Sequence, residues 1–318
     1  MVEHVALLIV GLALLLASGD LLVRGAVGLA TAQRVPTLIV GLTIVAFGTS
    51  APELVVSVQS VLAGAPGIAL GNVIGSNIAN VLLVLGFPAV IFPIAAQAHG
   101  LKLHTSVMLA ATAAFAAVAY LFGAITLAIG TALFAAIVGY VVYTGARGKN
   151  REEPSMVDDV AEFGQSDRLT PRILFFLAIG LVGLPVGAHL LVDHGGQLAA
   201  ALGVRDEIIG LTIVAFGTSL PELATVVAAA MHRKSDVALG NIIGSNIFNL
   251  LAVGGAIGLA GGARFDAATL RFDLPIMAAV AILISAFVYA KRDIGRLSGL
   301  AMGLAYLAFI IALAAKST

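Results

Sequence analysis

Two glutamates stand in near-identical surroundings, Glu53 in GTSAPE and Glu222 in GTSLPE, each in the middle of a long apolar run. A charged side chain at that depth costs several kcal/mol unless it is partnered. Two carboxylates facing one another repel unless a cation lies between them. A divalent ion held by both leaves no net local charge. Oxygen donors suit Ca2+, which takes about 6–8 of them and tolerates irregular geometry. Neither motif contains His or Cys, which argues against Zn2+ or Cu2+ at this place.

The neighbours supply further oxygens. Pro52 and Pro221 have no amide hydrogen and clash with the preceding turn, so carbonyls near Gly48 and Gly217 lose their helical partners. Freed carbonyls inside a membrane are tolerated where they line a cavity, and there they can coordinate cations. Thr49 and Thr218 lie four residues before each Glu, on the same helical face, with Ser50 and Ser219 beside them. A second element follows each motif, GNVIGSNIAN (71–80) and GNIIGSNIFN (240–249). In it Asn72, Ser76 and Asn80 share one helical face, as do Asn241, Ser245 and Asn249. Gly75 and Gly244 permit close helix approach, so these neutral oxygens, which suit Na+, can reach the Glu-bearing helices. Plainer readings stand beside each of these. Gly and Ser at this spacing also serve packing alone, Asn80 and Asn249 also suit inter-helix hydrogen bonds, and Pro in a membrane helix is also a kink. Glu53 and Glu222 have the weakest such reading. Asp20 with Arg24, and His189 with Asp193, read as local i,i+4 ion pairs near helix ends.

The elements that must position these residues are membrane helices. Of 318 residues 60% are apolar and 11% charged, with a mean hydropathy of +1.08. Soluble domains carry about 25% charged residues, so the composition excludes an ordinary soluble domain. Zero net charge and the lack of a long basic cluster leave no case for a nucleic-acid partner, and the absence of Cys excludes disulfide or thiolate chemistry. Apolar runs predict ten spans, at 4–30, 36–62, 68–91, 103–121, 125–144, 171–200, 206–231, 237–260, 272–290 and 294–314. The first reads as a membrane helix, with a cleaved signal peptide as the alternative. The stretch 145–170 holds four basic and six acidic residues and reads as a solvated linker.

Residues 41–86 align without a gap to 210–255, with 27 of 46 positions identical at an offset of 169. The expected organisation is therefore a first five-helix repeat over 1–145, a linker over 146–170 and a second repeat over 171–318. Five is odd, so matching helices cross in opposite directions. This is an inverted-topology repeat, with the site expected at the repeat interface near the midplane. The fold class is an all-α polytopic membrane protein. Basic residues divide twelve to four between the two sides, which predicts both termini outside and a cytoplasmic linker. No G-x-S-x-G is present, and the His residues lie away from the repeated Ser, so an intramembrane enzyme is not indicated.

GTSAPEL with GNVIGSNIAN, repeated as GTSLPEL with GNIIGSNIFN, closely resembles the alpha repeats of the Ca2+/cation antiporter superfamily, in its prokaryotic sodium/calcium exchanger branch. The resemblance covers both repeats and, through the ten-helix layout, essentially the full chain. It implies the sodium/calcium exchanger fold in a bacterial-type inner (plasma) membrane, with helices two, three, seven and eight around the ion sites and helices one and six as a gate. It implies antiport of Na+ against Ca2+ by alternating access, without a cofactor. Carried over residue by residue, it implies Ca2+ coordination by Glu53, Glu222, Thr49 and Thr218. It implies Na+ contacts from Ser50, Ser76, Ser219 and Ser245, from the carbonyls of Ala46 and Ala215, and from a polar site at Asn80 and Asn249. Several relatives carry Asp where this chain has Asn249, so a third central carboxylate is absent here. The GN-x-x-E motif of proton/calcium exchangers is also absent. Alternatives on the same fold are a Ca2+/H+ or K+-dependent Ca2+ antiporter, and a cation channel stands further off.

Overall fold

The structure, a computed structural model, describes residues 2–148, 169–201 and 217–316. The expected linker lies largely outside the described residues, as do the first eleven residues of the span expected at 206–231. Eleven helices carry the described chain: α1 (Val2–Gln33), α2 (Thr37–Thr49), α3 (Ala51–Leu62), α4 (Pro66–Ile91), α5 (Leu101–Phe122), α6 (Leu127–Gly148), α7 (Pro171–Ala201), α8 (Leu220–Met231), α9 (Ser235–Ala260), α10 (Thr269–Tyr289) and α11 (Arg296–Lys316). Eight of them are long and apolar enough to cross a membrane, and α2 with α3 makes a ninth, bent by 42°. The apolar α8 is the described part of the span expected at 206–231.

The distribution of side chains is that of a protein in lipid. Leu297, Leu300, Leu304, Leu307 and Ile311 form an exposed apolar stripe along α11, and Val5, Ile9, Leu12 and Leu16 form one along α1. The polar residues Thr49, Ser50, Glu53, Asn80, Ser219, Glu222, Asn241, Ser245 and Asn249 are fully buried. Lipid rewards that arrangement, because apolar surface outside costs nothing there while polar groups need internal partners.

Two apolar cores adjoin, with Leu223 packed against both. The larger joins α4, α5, α9 and α10. The smaller joins α1 and α7, through Leu15, Leu22, Leu177 and Leu184, to Val40, Val45, Leu220 and Ala224. Close approach of α1 and α7 depends on glycine. A Cβ at Gly180 would stand 2.6 Å from Leu22 Cβ, and one at Gly187 2.8 Å from the Leu15 nitrogen.

Short backbone bridges tie the two ends of the bundle. β1 (Ala124–Ile125) pairs antiparallel with β2 (Ala263–Arg264), with Ile125 opposite Ala263. Ile94 pairs antiparallel with Ile294. Helix α5 separates residue 94 from residue 125, so the bridges lie at opposite ends of that helix. Adding 169 to 125 and subtracting it from 263 gives 294 and 94, so the second bridge is the first with the halves of the chain exchanged.

Candidate functional site

The chain break that positions each glutamate is the same in both halves. At Ser50 the backbone leaves the helical region, with φ −88° and ψ 7°, and at Ser219 it does so with φ −89° and ψ 3°. Proline stands two residues later in each, where its missing N–H leaves the carbonyl four residues back unpaired and the helix begins again. Glu53 and Glu222 fall in the first turn of the new helices α3 and α8, where the N-terminal dipole favours negative charge. Against each break lies a side chain of α7. A Cβ at Gly48 would overlap Leu181, and one at Gly217 would overlap Val192, so one helix fills both notches.

The two carboxyl groups are fully buried. Ser50 Oγ donates to Glu222 Oε1 at 2.9 Å, so the break of the first half reaches the glutamate of the second. Thr49 Oγ1 donates to Asn241 Oδ1 at 3.2 Å, and Ser245 Oγ lies 3.4 Å from the same oxygen. Residues of α2, α8 and α9 thereby meet at one place. The Ala46 carbonyl accepts the Ser50 N–H at 3.0 Å and lies 3.4 Å from Thr49 Oγ1.

Seven buried oxygens here have no hydrogen-bond partner among the described residues: Glu53 Oε1 and Oε2, Glu222 Oε2, Asn80 Oδ1, Thr218 Oγ1, Ser219 Oγ and Asn249 Oδ1. A protein interior leaves so many acceptors unpaired only at large cost, and oxygen-rich sets of this kind fit hard cations. Asn80 and Asn249 each open a π-turn, over Asn80–Leu85 and Asn249–Val253. Such turns interrupt the regular backbone ladder and recur at functional sites. The Asn249 turn packs against α3, which bears Glu53, and the Asn80 turn against α8, which bears Glu222. Ser76 is buried on α4, one helical turn before Asn80. Ala215 lies outside the described residues.

Some partners were not expected from sequence. Asn246 Oδ1 accepts from Asn80 Nδ2 at 3.1 Å, so it fixes which way the Asn80 amide points. Repetition of the dipeptide Ser-Asn in both motifs was the available signal. Asn72 does not present its amide to a carboxylate; it donates to the Glu53 backbone carbonyl at 3.1 Å and to Ser57 Oγ at 2.9 Å. The glycine expectation holds for Gly244, where a Cβ would stand 2.6 Å from the Leu42 carbonyl, whereas Gly75 has no close neighbour among the described residues. The Asp20–Arg24 pair forms at 2.8 Å and gains His232, whose Nε2 meets Asp20 Oδ1 at 2.5 Å. The expected His189–Asp193 pair is replaced: Asp193 accepts from Gln197 at 2.9 Å and lies 3.9 Å from His194. A residue four along the helix competes for that carboxylate on equal terms with one four back.

Known proteins resemble the chain over nearly its whole length. The chain matches the sodium/calcium exchanger protein family over residues 3–146 and 172–315. It is 37% identical over 309 residues to the putative antiporter CaxA of Alkalimonas amylolytica, covering 95% of each chain. It is 32% identical over 340 residues to the sodium/calcium exchanger MaX1 of Methanosarcina acetivorans, covering 96% of this chain and 97% of that one. A solved structure of the sodium-calcium exchanger NCX_Mj, soaked with zero Na+ and Ca2+, superposes with a TM-score of 0.84 at 32% identity, covering 98% of this chain and 99% of the other.

Proposed function

The chain belongs to the sodium/calcium exchanger family and is an integral membrane cation antiporter, and from that premise we propose that it exchanges Na+ for Ca2+ by alternating access. The observation that carries the reading is the pair Glu53 and Glu222, both fully buried and accompanied by buried oxygens that have no partner among the described residues. Glu53, Glu222, Thr49 and Thr218 hold Ca2+. Ala46, Ser50, Ser76, Asn80, Ala215, Ser219, Ser245 and Asn249 serve Na+, with Pro52 and Pro221 breaking the helices that present them.

Ca2+ and Na+ compete for overlapping oxygens, so loading with one excludes the other. Cation binding neutralises Glu53 and Glu222 and lets the site pass through low dielectric, whereas bare carboxylates resist that passage. The gate is the α1–α7 pair. The small core through which it meets α2 and α8, and its contacts at Gly48 and Gly217, form the surface along which that pair moves against the rest. Ten helices in two inverted halves are the architecture proposed, supported by the two bridges that exchange under the 169-residue offset. Both termini lie outside, the 146–170 linker is cytoplasmic, and Ca2+ moves outward as Na+ enters.

The test is radiolabelled Ca2+ uptake into proteoliposomes loaded with Na+, K+ or choline, each with and without a pH gradient. Uptake driven by internal Na+ alone is expected. Uptake that follows the pH gradient without Na+ would assign a Ca2+/H+ exchanger instead. Uptake that needs no counter-ion gradient would assign a channel. Single cysteines at Ser155 and Ser317 test orientation, since an impermeant reagent should reach only one of them from one side of sealed vesicles.

A further inference from the structure

The α1–α7 pair carries a second cluster, remote in sequence from both glutamate motifs. At the end where α1 begins, His4 faces His194 of α7, with the two Nδ1 atoms 3.2 Å apart and the ring centroids 5.4 Å apart. Asp193 Oδ2 lies 3.9 Å from His194 Nδ1. His194 is 15% exposed and Asp193 48%, so the cluster is accessible from one side. The helices beneath it are held firmly. A Cβ at Gly11 would stand 2.9 Å from Leu190 Cβ and 3.0 Å from the Gly187 carbonyl. The two imidazoles are thus brought together by a scaffold that does not depend on them.

Two ring nitrogens at this distance satisfy each other in one of two ways. One ring donates its Nδ1–H to the lone pair of the other, or both lone pairs point at one cation. Two nitrogens at a Zn–N distance of about 2.0–2.1 Å and a tetrahedral angle stand about 3.3 Å apart, close to the separation here. Imidazole prefers divalent transition metals to Ca2+ or Mg2+. We propose that His4 and His194 bind a divalent transition metal of the Zn2+ class, with Asp193 a small adjustment away as a third ligand and water completing the shell. The pair falls short of a three-residue centre as it stands, so the carboxylate closes on the ion as it binds. This site is chemically distinct from the carboxylate centre. It offers nitrogen where the other offers oxygen alone, and its ligands come only from α1 and α7.

The experiment is calorimetric titration of the full chain, free of any affinity tag, with ZnCl2 in excess Ca2+, so that the carboxylate centre is not the one read. About one Zn2+ per chain is expected, with no signal from Mg2+. His4→Ala and His194→Ala should each weaken binding at least about tenfold, while His189→Ala, on the same helix outside the pair, leaves it unchanged. Zn2+ should also raise the melting temperature of the unsubstituted chain and not of the two variants, whose metal-free melting reports on their folding. Absence of Zn2+ binding in the unsubstituted chain, or wild-type affinity in both pair variants, would overturn the site.

Discussion

Glu53 and Glu222 occupy the same position of the same motif, yet their surroundings differ. Glu222 receives the Ser50 hydroxyl at 2.9 Å, while neither oxygen of Glu53 is hydrogen-bonded among the described residues. The counterpart of Ser50 is Ser219, and its hydroxyl has no partner among the described residues. The asparagines repeat the pattern. Asn80 is tied to Asn246, whereas the Asn249 amide is unpartnered on both atoms among the described residues. A duplicated sequence therefore decides which atoms are available, and packing decides which are used. On the proposed mechanism this asymmetry is required, because two inverted halves in one conformation would leave the protein with no sidedness.

The largest effects should come from the glutamates themselves. Glu53→Gln and Glu222→Gln are each expected to lower Ca2+ exchange by at least about 100-fold, since each removes half of the charge that balances a divalent ion. Near-normal flux in either, at matched expression, would remove the central claim. Their stabilities should differ. Glu53→Gln removes a buried carboxylate that has no donor, whereas Glu222→Gln keeps an acceptor for Ser50 and gains less. In Ca2+-free buffer Glu53→Gln is expected to be the more stable of the two by about 1–3 kcal/mol. Equal melting temperatures would erase the asymmetry between the halves.

A smaller effect is expected at the asparagines. Asn80→Asp replaces the donor to Asn246 Oδ1 with a second acceptor, so it should destabilise the fold by about 1–3 kcal/mol. Asn249→Asp breaks no hydrogen bond and instead adds a third carboxylate to the centre. The unsubstituted chain, with two carboxylates balanced by one Ca2+, is expected to exchange without K+. Asn249→Asp should introduce sensitivity to K+ or to pH. Flux through the unsubstituted chain that vanishes when choline replaces K+, with the Na+ gradient held, would show the charge argument to be wrong.

How much of this was legible in the sequence follows from what kind of signal each feature leaves. The span expected at 237–260 runs over Ser235–Ala260, because apolar length alone marks a membrane helix. The breaks at Ser50 and Ser219 follow from Pro52 and Pro221, a local rule. The π-turns at Asn80 and Asn249 follow no such rule. Neither does the choice of partner across the fold. Helical periodicity puts Ser50 and Glu53 on one face, yet Ser50 bonds to Glu222, and Asp20 gains a histidine 212 residues away. Periodicity supplies faces, and only tertiary packing says which face meets which.

The smallest effect separates Thr49 from Thr218, two matched hydroxyls with unmatched roles. Thr49 Oγ1 donates to Asn241 Oδ1 at 3.2 Å, while Thr218 Oγ1 has no partner among the described residues. Valine keeps the shape of threonine and removes only the hydroxyl. Thr49→Val should therefore cost the net worth of a buried hydrogen bond, about 0.5–1.5 kcal/mol. The loss stays at the low end if Ser245 Oγ, already 3.4 Å from Asn241 Oδ1, closes on the freed oxygen. Thr218→Val loses no bond and removes an unsatisfied polar atom, so its stability should equal or exceed that of the unsubstituted chain. Transport should not distinguish them in the same way. Each substitution deletes one neutral oxygen from a set of about 6–8, so each should lower the apparent Ca2+ affinity several-fold while exchange continues. Melting in Ca2+-free detergent then reads the resting asymmetry, and the Ca2+ dependence of flux reads the loaded site. Equal destabilisation by both would mean that Thr218 is bonded as Thr49 is. Unchanged Ca2+ affinity in Thr218→Val alone would mean that the second half contributes its glutamate without its threonine.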